Sequence, residues 1–101
     1  MALYFAVHTY KKDPAEFRVF LAARAAHIAK TTAAGKTPAK CIKTWDPSGQ
    51  GRVDYLFCVW DAAKAEDVQT TLQDFGLLDY LTADILQVGE TDWTQLAQVS
   101  G

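Results

Sequence analysis

Residues 53–60 constrain the fold of this chain more than any other stretch. Read as a strand, they send Val53, Tyr55, Phe57 and Val59 to one side and Leu56, Cys58 and Trp60 to the other. After Asp54 both faces are apolar, so both need covering. A chain of 101 residues with two good helices covers one face of a sheet. The second face needs a further partner, and a second copy of the chain is the simplest one.

The neighbouring segments fall into place around that strand. Leu3 to Tyr10 alternates as a strand, with Leu3, Phe5 and Val7 on one face and Tyr4, Ala6, His8 and Tyr10 on the other. Asp13-Pro14-Ala15-Glu16 is a helix start: a capping carboxylate, a proline at the first position and a glutamate that can reach back. Phe17, Phe20, Leu21, Arg24, Ala25 and Ile28 then recur at helical spacing, and the helix is expected to end before Gly35. Residues 39–45 read as an edge strand. Strict alternation puts Ala39, Cys41, Lys43 and Trp45 on one face and Lys40, Ile42 and Thr44 on the other. Asp46 to Gly51 is dense in turn formers and reads as a hairpin loop.

Asp61 is expected to cap a second helix over about 62–75, with Val68, Leu72 and Phe75 inward and Gly76 in the left-handed position after it. Residues 80–88 read as the fourth strand. Asp92 and Gln95 resemble a capping pair for a short terminal helix with Trp93 and Leu96.

The order β-α-β-β-α-β is the split βαβ arrangement. It predicts an α+β, ferredoxin-like βαββαβ sandwich spanning 1–101 as one domain, with an antiparallel four-stranded sheet and two helices on one face. Right-handed crossovers place strands 1 and 3 at the centre. The uncovered face is expected to show Tyr4, His8 and Tyr10, with Leu56 and Trp60 beside them, and in a twofold dimer it would pack on itself.

Charge is split along the chain. Residues 1–52 hold nine Lys/Arg against three Asp/Glu, and residues 53–101 hold one Lys against nine Asp/Glu, giving +6 and −8 around a net charge of −2. Such a split could mark an anion-binding half, but nucleic-acid faces are denser and carry net positive charge, so neighbouring complementary helices are expected instead. No run of apolar residues is long enough for a membrane span, and the start lacks signal-peptide character, so the expected location is the cytoplasm with Cys41 and Cys58 reduced. Neither nucleic acid nor membrane is an expected partner.

With this element order and strand polarity, nearly the whole chain resembles the dimeric α/β-barrel group of ferredoxin-like proteins. It is most similar there to small bacterial domains without an assigned activity. The resemblance implies a homodimer with a pocket between sheet and helices or inside the barrel. It implies either a binding or structural module or one of the activities of the wider group. These include cofactor-free quinone-forming monooxygenases, haem-degrading monooxygenases and muconolactone-type isomerases; stress-induced barrel proteins also belong there. No cofactor is expected, with haem the one the resemblance allows.

His8 is the best candidate for catalysis, because a mid-strand imidazole can serve as a general base or an iron ligand. The commoner role is an interface histidine bonded to a tyrosine or carbonyl, and no partner carboxylate is identifiable. His27 reads as a half-exposed helical histidine. His8, Tyr10, Trp45, Tyr55 and Trp60 together could line a site for a small apolar or aromatic ligand, although such aromatics more often form core or interface. Cys41 falls opposite Cys58 if Trp45 pairs with Asp54, which admits a redox pair, although two small buried hydrophobes are commoner. Gly49-Gln50-Gly51 joins two strands and is no phosphate loop, and no zinc-site spacing is present.

Overall fold

In a computed structural model of the chain, residues 2–51 and 54–100 are described, with Val99 and Ser100 described by backbone alone. Val53 of the expected third strand lies outside the described residues. The order is β1 (Ala2–Thr9), α1 (Pro14–Ala33), β2 (Ala39–Trp45), β3 (Tyr55–Ala62), α2 (Ala65–Asp74), β4 (Asp84–Val88) and α3 (Trp93–Ser100). Single 3₁₀ turns at Pro47–Gln50 and Leu77–Asp79 join some of them. The strands run antiparallel in the order β2-β3-β1-β4, so the two most apolar strands are central. This is the ferredoxin-like α+β sandwich. Among the described residues no helix is long and apolar enough to cross a membrane.

Local chemistry sets the boundaries. The Asp13 carboxylate accepts the Ala15 N–H at 2.9 Å, and Pro14 occupies the first turn of α1. Gly76 takes a φ of 79°, the left-handed conformation that favours glycine, and a Cβ there would stand 3.1 Å from the Phe20 ring. The Asp92 carboxylate accepts the N–H groups of Thr94 and Gln95 at the start of α3.

The face assignment expected from the sequence is reversed. Tyr4, Ala6, His8, Leu56, Cys58 and Trp60 lie under the helices, and His8 is wholly buried. Leu3, Phe5, Val7, Phe57 and Val59 share the other face. Both alternating sets are apolar, so periodicity does not separate them; side-chain size does. Ala6, Ala39 and Ala62 are buried on the helix side, and their short side chains give α2 room to approach with Val68, Thr71 and Leu72.

Three further expectations change. Asp61 is not a cap: β3 continues through Ala62, Asp61 pairs with Leu3, and α2 begins after Lys64 with no side-chain cap. The fourth strand starts at Asp84 rather than 80, because Leu77–Asp79 forms a turn and Leu81 makes only an isolated bridge to Tyr10. Strand β2 carries an irregularity between Cys41 and Lys43. Cys41 therefore pairs with Trp60, Thr44 with Cys58 and Trp45 with Phe57, so Thr44 joins Cys41 on the helix side while Lys43 and Trp45 turn to the open face.

One buried hydroxyl ties α2 to the sheet. Thr71 Oγ1 donates to the Asp67 carbonyl at 2.8 Å and accepts the Ala39 N–H at 3.2 Å. Thr71→Val keeps the shape and orphans that N–H, so urea unfolding is expected to show a loss of about 1–3 kcal/mol. An unchanged midpoint would contradict the role given to this bond.

Candidate functional site

A cavity of about 130 Å³ lies between α1 and the sheet. Phe17, Leu21 and Ile28 of α1 form its roof, and Leu56, Cys58 and Trp60 of β3 form its floor. Leu72, Phe75, Leu77 and Leu81 complete an apolar wall. The cavity exists because α1 packs sparingly: Phe17 is its one buried residue. The aromatic end of α1 is held instead against Tyr80, which stacks on Phe20 at 4.5 Å and receives Phe17 at 6.0 Å.

Two polar groups stand in this wall with no protein partner, His8 Nε2 and Trp60 Nε1. His8 Nδ1 is 2.8 Å from the Thr82 carbonyl, an acceptor, so Nδ1 carries the hydrogen and the neutral ring presents a lone pair at Nε2. Thr82 is itself clamped onto the end of β1. Its N–H donates to the Thr9 carbonyl at 2.9 Å, and its hydroxyl accepts the Thr9 N–H at 2.9 Å. Burial lowers the His8 pKa, and the bond to Thr82 opposes this only in part, so the ring is held neutral near pH 7. The site therefore offers a base at one point and an N–H donor at another. His8 and Trp60 lie opposite Leu56 and Tyr4 in the ladder, four residues apart on one face and roughly 13 Å along the strand.

At the β2 edge, Thr44 Oγ1 lies 3.3 Å from Cys58 Sγ and 3.6 Å from Cys41 Sγ. A hydrogen bond from Cys58 draws the Cys41 thiol down to about 7, against the opposing effect of burial. The same bond and burial push Cys58 upward. Cys41 thus ionises first and Cys58 stays the donor.

The structure brings His8 and Trp60 together in one cavity. Tyr10 stands outside it, edge-on to Phe17 at 5.7 Å, supporting the wall from behind. Trp45 and Tyr55 lie on the open sheet face, where Tyr55 stacks on Phe57 at 6.2 Å. His27 is exposed on α1, its ring edge-on to Phe75. Sequence reading missed Thr82 and Thr44. Thr82 orients His8 from 74 positions away, and Thr44 faces inward only because β2 is irregular.

Among the described residues no three His, Cys, Asp or Glu side chains gather as metal ligands. Haem does not fit this cavity, whose volume is close to the roughly 150 Å³ that holds a benzene molecule.

No protein-family model and no curated protein matches the sequence. The likeness to known proteins lies in the fold alone, the ferredoxin-like α+β sandwich. SnoaB, a cofactor-independent oxygenase from Streptomyces nogalater, matches with a TM-score of 0.52 and 15% identity, over 90% of this chain and 93% of that one.

The lowered His8 pKa has a consequence for stability. Above the unfolded value of 6.5 both states are neutral at this residue, so its contribution is fully present. As pH falls from 6.5 toward the lowered folded value, only the unfolded chain takes up the proton, and stability is lost. Denaturant midpoints measured between pH 7.5 and 5 are expected to fall more steeply for the native chain than for His8→Asn. Parallel curves would mean that His8 titrates normally.

Proposed function

We propose that this chain is a cytosolic homodimer whose cavity binds a small, largely apolar molecule about one ring in size, and that His8 takes a proton from it. The observation that carries this reading is the pair of buried, unpartnered nitrogens in an otherwise apolar wall. Leaving a buried polar group unpaired costs about 1–3 kcal/mol. A ligand with an acidic O–H or C–H at His8 Nε2 and a hydrogen-bond acceptor at Trp60 Nε1 would satisfy both groups.

The likeness in fold to SnoaB, a cofactor-independent oxygenase, supports a reading in which the cavity base works without a cofactor. Proton removal from a single-ring phenol, hydroquinone or enol gives a delocalised anion. Such an anion gives an electron to O₂ directly. Radical recombination forms a C–O bond, and the peroxide anion takes back the proton held on His8. The O–O bond then breaks with loss of water, which carries away the C–H hydrogen of the same carbon and leaves a carbonyl. His8 supplies the base, and the Trp60 N–H bonds an acceptor elsewhere on the ligand and so orients it. The apolar walls exclude water. A neutral imidazole at pH 7 is the form this requires, and burial maintains it.

The uncovered sheet face supports the homodimer. Phe5 stacks on Phe57 at 5.9 Å there, and Leu86 and Trp45 remain 49% and 45% exposed. A second copy across a twofold axis would cover this face with an identical one.

Two experiments test the reading. His8→Asn keeps a donor for the Thr82 carbonyl but removes the Nε2 base. With a panel of single-ring hydroquinones and enols, O₂ uptake by the native protein is expected, with about 10²–10⁴-fold less in the variant. Binding without O₂ uptake, and without base-dependent exchange of ligand protons in D₂O, would make the protein a non-catalytic binding module. For the assembly, light scattering is expected to give twice 11.1 kDa, and Phe57→Lys is expected to give the monomer mass. A monomeric native chain would remove the dimer.

A further inference from the structure

The thiol pair at the cavity edge is not used by the chemistry assigned to His8. Its arrangement depends on the irregularity in β2 between Cys41 and Lys43. Without it, strict alternation would turn Thr44 to the opposite face from Cys41. With it, Cys41, Thr44 and Cys58 all face the helix side, and one hydroxyl stands within 3.6 Å of both sulfurs. The two sulfurs differ in access. Cys58 is buried in the cavity floor, whereas Cys41 is half-buried and lines both the cavity and the outer groove between α1 and β2. The groove brings small solutes to Cys41 first, with Lys40 on its wall.

We propose that Cys41 and Cys58 form a peroxide-reactive dithiol at the mouth of the cavity, in which Cys41 attacks hydrogen peroxide or a small organic hydroperoxide and Cys58 resolves the product as a disulfide. In the first step the Cys41 thiolate attacks the terminal peroxide oxygen and the O–O bond breaks. That oxygen stays on sulfur as sulfenic acid, and the other leaves, protonated, as water or alcohol. The sulfur is oxidised by two electrons and the peroxide reduced by two. In the second step the Cys58 sulfur attacks Cys41, an S–S bond forms, the S–O bond breaks, and hydroxide leaves as water with the Cys58 proton. A thiol reductant reverses the change.

The sequence of roles follows from the hydrogen bonds. Thr44 Oγ1, between the two sulfurs, can donate to a Cys41 thiolate. The Cys41 thiol is drawn down to about 7 and Cys58 is pushed up, so Cys58 stays protonated until the sulfenic acid forms. Both sulfurs sit on neighbouring strands, so closure ties β2 to β3 across the cavity mouth. The site stands on its own geometry and does not depend on the substrate assigned to His8.

The test treats the native chain with hydrogen peroxide at pH 7 and follows thiols by mass spectrometry and thiol titration. Native protein is expected to lose both thiols together, lowering the mass by two hydrogens, with recovery in dithiothreitol. The reaction is expected to run about tenfold faster than that of free cysteine at this pH. Cys58→Ser is expected to stop at sulfenic acid on Cys41, trapped as a dimedone adduct. Cys41→Ser is expected to leave Cys58 unreacted. Thr44→Val, on an exposed strand position, provides a variant that leaves both cysteines in place and is expected to slow the first step. Far-UV circular dichroism checks that each variant is folded, and Cys58→Ala replaces Cys58→Ser if the serine unfolds the chain. Retention of both thiols in native protein while free cysteine is consumed would overturn the proposal. Equal reactivity of Cys58 in Cys41→Ser, or intermolecular disulfides in place of the internal one, would do the same.

Discussion

Two apolar faces on a sheet that α1 and α2 cover from one side is the constraint from which the rest of this molecule follows. The helices must choose one face, and they take the one with alanines at positions 6, 39 and 62. α2 settles closely there, with Val68 and Leu72 almost without exposure. The larger side chains Tyr4, His8, Leu56 and Trp60 share the same face, and α1, with Phe17 as its one buried residue, does not close down fully over them. Close packing on one half of the face and a gap over the other give a sandwich with a cavity already inside it. The opposite face keeps its flat layer of Phe5, Phe57 and Leu86.

Much of the fold was legible from the residues because each element announces itself locally. Asp13-Pro14 starts α1, Gly76 ends the turn after α2, and the bounds of β2 follow from the alternation between Pro38 and Asp46. What was not legible depends on comparing elements. Strand polarity cannot say which of two apolar faces receives the helices, since that is decided by how close α2 approaches. The irregularity in β2 is invisible until a partner strand exists to be out of step with. Asp61 has the chemistry of a helix cap, yet pairing with Leu3 and Lys40 holds it in β3, and the ladder prevails over local preference.

The candidate site was legible by residue and not by role. A histidine in the middle of an apolar strand attracts notice in any sequence. Its tautomer, however, is set by a carbonyl contributed by Thr82, far along the chain, after a turn that brings residues 80–83 back along β1. Trp60 was equally visible, but so were Trp45 and Tyr55. Only the face assignment separates the one that lines a cavity with His8 from the two that do not.

Unpaired nitrogens in a hydrophobic wall are more informative than the wall itself. An apolar cavity alone is a common packing fault, and filling it with a larger side chain would stabilise the protein. Phenylalanine or leucine at positions 8 and 60 would remove the cost of two unsatisfied groups while keeping the core apolar. The chain instead holds an imidazole at zero exposure, fixes its hydrogen on Nδ1 with a carbonyl, and leaves Nε2 without a protein partner. Bonding Thr82 to the N–H and the carbonyl of Thr9 fixes the acceptor that orients the ring. Local stability is given up at an atom that the surrounding structure holds in place, and this is the feature on which the proposed ligand site rests.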